Sequence, residues 1–349
     1  FAGPTIALIS ERLSSLSLVY RVPANGIRED SSVITPSMVP LVDLSQSELD
    51  HITNTVMGGV SNIQDIYPLS PLQEGIYFHH LMSDPKGGDP YVLPRLLCFS
   101  DAAKRDSFIE ALQFVVDRHD VLRTCVLSSG LPRAVQVVLR EAPLFVEHLE
   151  LDGSVGVLSQ LESVIVPGGC WMDVSKAPLL QLKSADDVDK GCHYLIVYQH
   201  HLIIDHVGME KIISEVMLYL SGKGDSLGVP VLYRDFIGHT LHAQSVNDGA
   251  TYFKTLLGEI EEPTYPFELS NVLGDGRGIE ESHTVLSKEL SISLRKLNAT
   301  HGISPAVLFH AAYGLVVARC SNRDYAVFGS LFSGRLQGSL GAADSLGLF

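Results

Sequence analysis

The sequence predicts an α/β fold in two lobes, each an α+β, two-layer arrangement of helices and strands. The length of 349 residues suggests about two domains, since one domain commonly takes roughly 150 residues. Hydrophobic residues make up 46% of the chain, enough to bury a large core. Segments with helical and strand periodicity alternate from residue 65 onward, and a polar stretch around 222–230 separates two halves of similar content.

The first 61 residues differ in character from the rest. The opening FAGPTIALISERLSSL predicts a short amphipathic helix, because Pro4 suits a first turn and apolar residues follow at helical spacing. Residues 22–61 are polar and interrupted by prolines, which predicts a linker. Within it, residues 43–56 predict a short helix, since Ser45 is followed three residues later by Glu48, as in a capping box.

The first half then alternates strands and helices. Apolar residues at helical spacing predict helices over 102–118 and 209–220. Runs rich in Val, Leu, Ile and Tyr predict strands over 91–99, 133–139 and 192–199.

The second half repeats this mixture. SHTVLSKEL (282–290) predicts a strand, and 292–300 predicts a helix. Ser304 before a proline is a good N-cap, so a long buried helix is expected over 305–319. DYAVFGSLFSGR (324–335) predicts another strand.

Charge and cysteine content exclude several classes of protein. The 25 basic and 40 acidic residues give a net charge of −15, which argues against nucleic-acid and anionic-membrane partners. The five scattered cysteines argue against a disulfide framework or a zinc–thiolate site and favour the reducing cytoplasm. We find no signal peptide and no apolar run of about 18 residues, and Phe1 in place of Met predicts a longer parent product.

YQHHLIIDH (198–206) is the most suggestive stretch for chemistry. Adjacent side chains of a strand point to opposite faces, so only one of His200 and His201 is expected to face a cavity. Imidazole is the usual proton-transfer group at neutral pH. Two alternatives remain open: ordinary strand-end histidines, or a zinc site of His201, Asp205 and His206, although the HExxH spacing is absent.

Five segments in order resemble the core motifs of nonribosomal peptide synthetase condensation domains. HHLIIDH (200–206) resembles the HHxxxDG signature of that family. DIYPLSPLQEGIYFHH (65–80) resembles its first motif and RHDVLRT (118–124) its second. YRDFIGH (233–239) resembles the fourth motif and FGSLFSGR (328–335) the fifth.

The resemblance implies a chloramphenicol-acetyltransferase-like pseudo-dimer of two lobes forming a V. It implies the last helix of a peptidyl carrier domain at 1–21, a linker at 22–61, the N-terminal lobe at 62–225 and the C-terminal lobe at 226–349. LGLF (346–349) looks like the start of the next family motif, so the second lobe is expected to be C-terminally incomplete.

The resemblance also implies an activity and partners. Such domains join a donor acyl or peptidyl thioester to an acceptor amine. Both reactants arrive on 4′-phosphopantetheine arms of upstream and downstream peptidyl carrier domains, next to an adenylation domain. No cofactor bound by the domain itself, no metal, no nucleic acid and no membrane are expected.

Site residues follow by position from the signature. His201 is expected where the two arms meet, as general base or as a group that orients the amine, and His200 is expected to be structural. Asp205 should pair with an arginine to hold the loop, with Arg335 as first choice and Arg123 as second.

His206 departs from the signature, which has glycine at that position. His206 could narrow the channel, carry a proton or point away, and Gly208 could supply the flexibility instead.

A second histidine pair, HHLMSDPKGGD (79–89), resembles the HH[I/L]xxxxGD sequence of condensation domains that also epimerise their donor residue. The spacer here is longer by two residues. His79, His80 and Asp89 are therefore candidates for epimerisation. The alternative is that the histidines end a helix, in a domain that condenses a D-configured donor without inverting it.

Three other functions compete with condensation. A stand-alone epimerisation domain has a different first motif. A non-catalytic scaffold copy would be expected to lose His201 or Asp205, and both are present. A free-standing acyltransferase using coenzyme A is disfavoured by the carrier-like helix at the start of the chain.

Overall fold

The computed structural model of the chain describes residues 20–152, 155–165, 169–270, 280–330, 335 and 344–349. These residues form two compact units, a larger one from 20–246 with 335 and 344–349, and a smaller one from 247–330. The helix predicted at the start of the chain, with the carrier-domain assignment that depends on it, lies outside the described residues. The domain boundaries therefore remain predictions.

The larger unit contains a three-stranded antiparallel sheet in the order β1–β4–β3. Its strands are β1 (Ile63–Pro68), β3 (Thr124–Leu127) and β4 (Val135–Leu139). Every residue of β3 and β4 is buried, so both faces of this sheet are covered.

The second sheet carries the histidine stretch. Its order is β2–β7–β6–β5, with β2 (Val92–Phe99), β5 (Val146–His148), β6 (Leu180–Asp187) and β7 (Cys192–His200). β7 pairs antiparallel with β2, and β5 pairs parallel with β6. The register places Val92 opposite His200, so the start of β2 lies beside the end of β7.

Helices cover these sheets, and the helices predicted over 43–56, 102–118 and 209–220 are confirmed. The capping box of Ser45 and Glu48 is formed as predicted. The helices of the larger unit are α1 (Gln46–Thr55), α2 (Gly59–Asn62), α3 (Pro71–Met82), α4 (Ala102–Arg118), α5 (Val157–Val164), α6 (His206–Leu220) and α7 (Tyr233–Val246).

The segment predicted as a linker, residues 22–61, is packed rather than extended. Ile34, Val39, Leu49 and Ile52 are buried in a cluster with apolar side chains of the three-stranded sheet. Burying such a side chain stabilises the fold by about 1.5–3 kcal/mol, so this segment is part of the larger unit's core.

The smaller unit contains α8 (Gly249–Leu257), α9 (Lys288–His301) and α10 (Pro305–Cys320). The predicted strand over 282–290 is wrong, because Ser287 accepts the N–H of Leu290 and starts α9 there.

Two further predictions for this unit need correction. Residues 324–330, the described part of the other predicted strand, have no regular structure. Ser304 caps α10 as predicted, but the helix is not buried: only Val317 and Ala318 are, and Leu315 is 65% exposed. In the described chain no single helix has the length and hydropathy to cross a bilayer; α9 and α10 reach that composition only as a pair bent by 112°.

Candidate active site

The end of β7 separates the two adjacent histidines as the strand geometry predicts. His200 is completely buried, whereas His201, the first residue after the strand, is half-buried. The backbone N–H of His201 donates to the carbonyl of Tyr91 at 2.8 Å, next to the start of β2. The turn from His201 to Asp205 is therefore anchored to the sheet at its first residue.

The imidazole of His201 has a defined orientation. Its Nδ1 lies 2.7 Å from the carbonyl oxygen of Ile204, three residues on. Because a carbonyl can only accept, Nδ1 carries a proton, and in the neutral ring the lone pair is then on Nε2. Among the described residues no hydrogen-bond partner is found for Nε2.

Asp205 closes the turn and begins α6. Its Oδ1 accepts the N–H of Gly208 at 2.7 Å, an N-cap interaction. Arg335 donates to both carboxylate oxygens, with Nε 3.0 Å from Oδ2 and Nη2 2.7 Å from Oδ1. The guanidinium also donates to the carbonyl of Ser345 at 2.6 Å and lies 4.2 Å from the ring centre of Phe349.

The second-choice partner for Asp205 is wrong. Arg123 is buried elsewhere in the larger unit, where its Nη1 donates to the side chain of Gln64 at 2.8 Å and to the carbonyls of Leu139 and Arg140. Its guanidinium therefore caps the end of β4.

His206 points away from these groups. It is the first residue of α6, its side chain is 79% exposed, and its Nε2 lies 3.4 Å from Glu210. Space is tight at Gly208 instead, where an added Cβ would lie 2.7 Å from a side-chain carbon of Ile204. His201, Asp205 and His206 thus contact three different partners, which does not support the zinc alternative.

The second histidine pair is split between surface and core. His79 is exposed and lies 3.1 Å from the hydroxyl of Tyr91, while His80 is buried and stacks on Trp171. Both are in the last turn of α3, as the alternative interpretation of this pair predicts.

His80 and His200 meet on one carboxylate. Asp89 is fully buried, and its Oδ2 lies 2.6 Å from Nδ1 of His80 and 3.1 Å from Nε2 of His200. The three ligand atoms lie within 4.8 Å of one another, close enough to be shared by one metal ion. In this structure they bond to each other, and we describe them as a hydrogen-bonded network.

The charges in this network are defined by burial and hydrogen bonding. Burial raises the pKa of Asp89, but the N–H groups of His200, His80 and Tyr91 outweigh it and hold the pKa well below its ordinary value. Burial lowers the pKa of His200, against the attraction of Asp89. At neutral pH the network is therefore an ionised carboxylate beside a neutral His200.

Sequence reasoning missed Gln73, in the first motif. Gln73 is buried at the start of α3, and its Nε2 donates to the carbonyl of Leu202 at 2.8 Å and to Gln136 at 2.9 Å. A glutamine inside PLSPLQEG is the one sequence signal for it, since an amide buried in a helix needs polar partners.

Sequence reasoning also missed a network that joins three motifs. Arg234 of YRDFIGH donates to Asp65 of the first motif at 2.6 Å, and both are buried. Asp120 of RHDVLRT accepts the backbone N–H of Tyr233, whose hydroxyl donates to the carbonyl of Leu348 at 2.6 Å. Burial raises the pKa of the Asp120 carboxyl to about 6.

Comparison with known proteins identifies the family of the chain. The family model described as "Condensation domain" matches residues 63–349. Two synthetases of Mortierella alpina match over the whole chain: Malpibaldin synthetase is 39% identical and Malpinin synthetase 40% identical. The chain spans only 6% and 4% of the lengths of these two relatives.

Solved structures show the same fold. The condensation domain from Monacolin K polyketide synthase MokA matches with a TM-score of 0.56 and 16% identity, over 82% of this chain and 66% of that one. The first condensation domain of the calcium-dependent antibiotic synthetase, solved with a substrate analogue, gives the same score and identity over 82% and 68%. The predicted fold class is confirmed by these structures. The chain therefore belongs to the condensation-domain family.

Proposed function

We propose that this chain joins a carrier-bound donor thioester to a carrier-bound acceptor amine, and that Nε2 of His201 is the group that acts on the amine. The observation that carries the proposal is the bond from Nδ1 of His201 to the carbonyl of Ile204, which leaves the Nε2 lone pair free.

The reaction requires one proton to pass from the amine to the leaving sulfur through Nε2 of His201. The amine nitrogen attacks the thioester carbon, the C–S bond breaks, and an amide and a thiol result. Nε2 of His201 accepts a hydrogen bond from the attacking amine and takes its proton as the tetrahedral intermediate forms; the proton then goes to the leaving thiolate. General bases of this kind contribute typically 10²–10⁴-fold to a rate.

The residues around His201 differ in their part in this proposal. Asp205 and Arg335 hold the turn that carries His201, and His200 packs behind it. His206, directed to solvent beside Glu210, has no part in the reaction.

The substrates, partners and location are inferred from the family. The two reactants come on 4′-phosphopantetheine arms of neighbouring peptidyl carrier domains, with an adenylation domain in the same synthetase, in the cytoplasm. The net charge of −15 is compatible with an amine acceptor.

The test uses His201→Ala and His206→Ala in the intact synthetase module, with the carrier-bound dipeptide followed by mass spectrometry. We expect His201→Ala to lower the rate at least about 100-fold without a change in melting temperature. His206→Ala is the matched control and should condense at the wild-type rate. Equal rates for wild type and His201→Ala would remove the assignment.

A second candidate activity is epimerisation of the donor residue from L to D. The observation that favours it is that two residues of the second histidine motif, His80 and Asp89, bond to each other and that Asp89 also bonds to His200, directly next to His201. Both are buried, so His201 would be the group that takes the α-proton. The test is to load an L-aminoacyl donor in D₂O: deuterium at the α-carbon and a D-configured product support epimerisation, and an unlabelled L product identifies a condensation-only domain.

A further inference from the structure

The buried carboxylate of Asp89 is linked by two chains of hydrogen bonds to the backbone nitrogens of His201 and of the next residue, Leu202. On one side, Oδ1 of Asp89 accepts the N–H of Tyr91 at 2.8 Å, and the carbonyl of Tyr91 accepts the N–H of His201 at 2.8 Å. On the other side, Oδ2 of Asp89 lies 3.1 Å from Nε2 of His200, and Nδ1 of His200 lies 3.1 Å from the backbone nitrogen of Leu202.

These contacts determine which nitrogen of His200 carries the proton. A backbone N–H can only donate, so Nδ1 of His200 must be the acceptor for Leu202. The proton of the neutral ring is then on Nε2, where it needs an acceptor, and Asp89 is that acceptor. Without an anionic acceptor there, the buried N–H of Leu202 would lose its partner whenever the ring took the other tautomer.

We propose that Asp89 is a positioning residue for the condensation reaction: it holds His200 in the tautomer that binds Leu202 and holds Tyr91 against His201, and so sets the backbone of the turn that carries the His201 imidazole. This role rests on the function proposed above. His80 supports it by donating to Asp89 from the other side at 2.6 Å. The role is distinct from a proton relay, since among the described residues no hydrogen bond links Asp89, His80 or His200 to the imidazole of His201.

In this role the second histidine motif contributes to amide formation, whether or not the domain also epimerises its donor. A catalytic group misplaced by 1 Å can lower a rate about 100-fold. Asp89 is 111 residues from His200 in the chain, and the contact depends on the pairing of β2 with β7.

The decisive variant is Asp89→Asn, which keeps the shape but replaces an acceptor oxygen with an N–H donor. In the ¹⁵N-histidine-labelled chain, His200 should change from the Nε2–H form to the Nδ1–H form or a mixture, as read from its ring ¹⁵N shifts. In the intact synthetase module, kcat for amide formation should fall about 10–100-fold with KM changed less than about threefold. Glu215→Gln is the matched control, because Glu215 is also a buried carboxylate next to a histidine, with its Oε2 2.9 Å from Nε2 of His119. The kcat of this variant should stay near the wild-type value.

A second pair of variants keeps the test open if Asp89→Asn does not fold. His80→Phe retains the ring against Trp171 but removes the donor to Asp89, and should lower kcat several-fold; His80→Asn, which restores a donor near the position of Nδ1, should recover most of it. An unchanged His200 tautomer, or a kcat within twofold of wild type in folded Asp89→Asn, would overturn the proposal. Equal turnover by wild type and His201→Ala would instead overturn the proposed function, and the tautomer measurement would still judge the role of Asp89.

Discussion

Removing the carboxylate of Asp205 should destabilise the larger unit strongly. Asp205→Ala deletes two hydrogen bonds to Arg335, at 3.0 and 2.7 Å, and the N-cap bond to Gly208 at 2.7 Å. Breaking a buried ion pair costs about 3–5 kcal/mol and losing an N-cap about 1 kcal/mol. Since the Asp205 side chain is 19% exposed and Arg335 keeps its bond to the carbonyl of Ser345, we take the lower end of the ion-pair range, about 3 kcal/mol, which with the N-cap gives about 4 kcal/mol in total.

The magnitude can be separated into its parts by a double-mutant cycle. Asp205→Asn keeps an oxygen for the N–H of Gly208 but removes the charge, and Arg335→Met keeps an apolar stem beside Phe349. The free energy of unfolding is measured by urea titration for the wild type, both single variants and the double variant. We expect a coupling energy of about 1.5–3 kcal/mol, and Asp205→Ala should be about 1 kcal/mol less stable than Asp205→Asn.

The thermal melt gives an independent check. For a unit of this size, a loss of about 4 kcal/mol corresponds to a fall in melting temperature of roughly 8–16 °C. A coupling energy below about 0.5 kcal/mol would refute the argument, because it would mean that the pair acts as an exposed ion pair does.

Two further predictions concern packing and pH. Gly208→Ala should lower the free energy of unfolding by about 1–3 kcal/mol, because the new Cβ would lie 2.7 Å from the Ile204 side chain; Gly75→Ala, with open space around a helical glycine, is the control and should be neutral or stabilising. Burial raises the pKa of Asp120 from its ordinary 3.8 to about 6, so the folded state binds more protons than the unfolded chain between those values and stability falls as pH rises from about 4 to 6. Urea titrations across that range should show this fall in the wild type relative to Asp120→Asn; parallel curves for the two proteins would contradict it.

Local patterns are sufficient to predict much of the larger unit. Apolar residues at helical spacing predict α4 and α6, and the capping box of Ser45 and Glu48, visible in the sequence, predicts α1. In the larger unit the segment predicted as a linker, residues 22–61, is packed into the core, and the wrong strand predictions lie in the smaller unit. There the alternation in SHTVLSKEL resembles a strand, but a single cap at Ser287 starts a helix inside it.

Contacts between distant segments cannot be predicted from periodicity. Asp205 and Arg335 are 130 residues apart, so only the family resemblance predicts that they pair. Gln73 reaches Leu202 across 129 residues, and no spacing rule connects those positions. Such contacts are set by strand register and by the need of buried polar groups for partners, which only the folded chain defines.

The carboxylates of this site are arranged differently from those of a serine-hydrolase triad. In a triad an aspartate bonds to the catalytic imidazole and stabilises its protonated form. Here Asp89 bonds to His200 and Asp205 to Arg335, and Nδ1 of His201 bonds to a neutral carbonyl instead. A hydroxyl nucleophile needs a strong base, but a neutral amine is already nucleophilic and loses its proton readily once it has attacked. In the proposed scheme His201 therefore needs to be well placed more than strongly basic, and both carboxylates serve that placement.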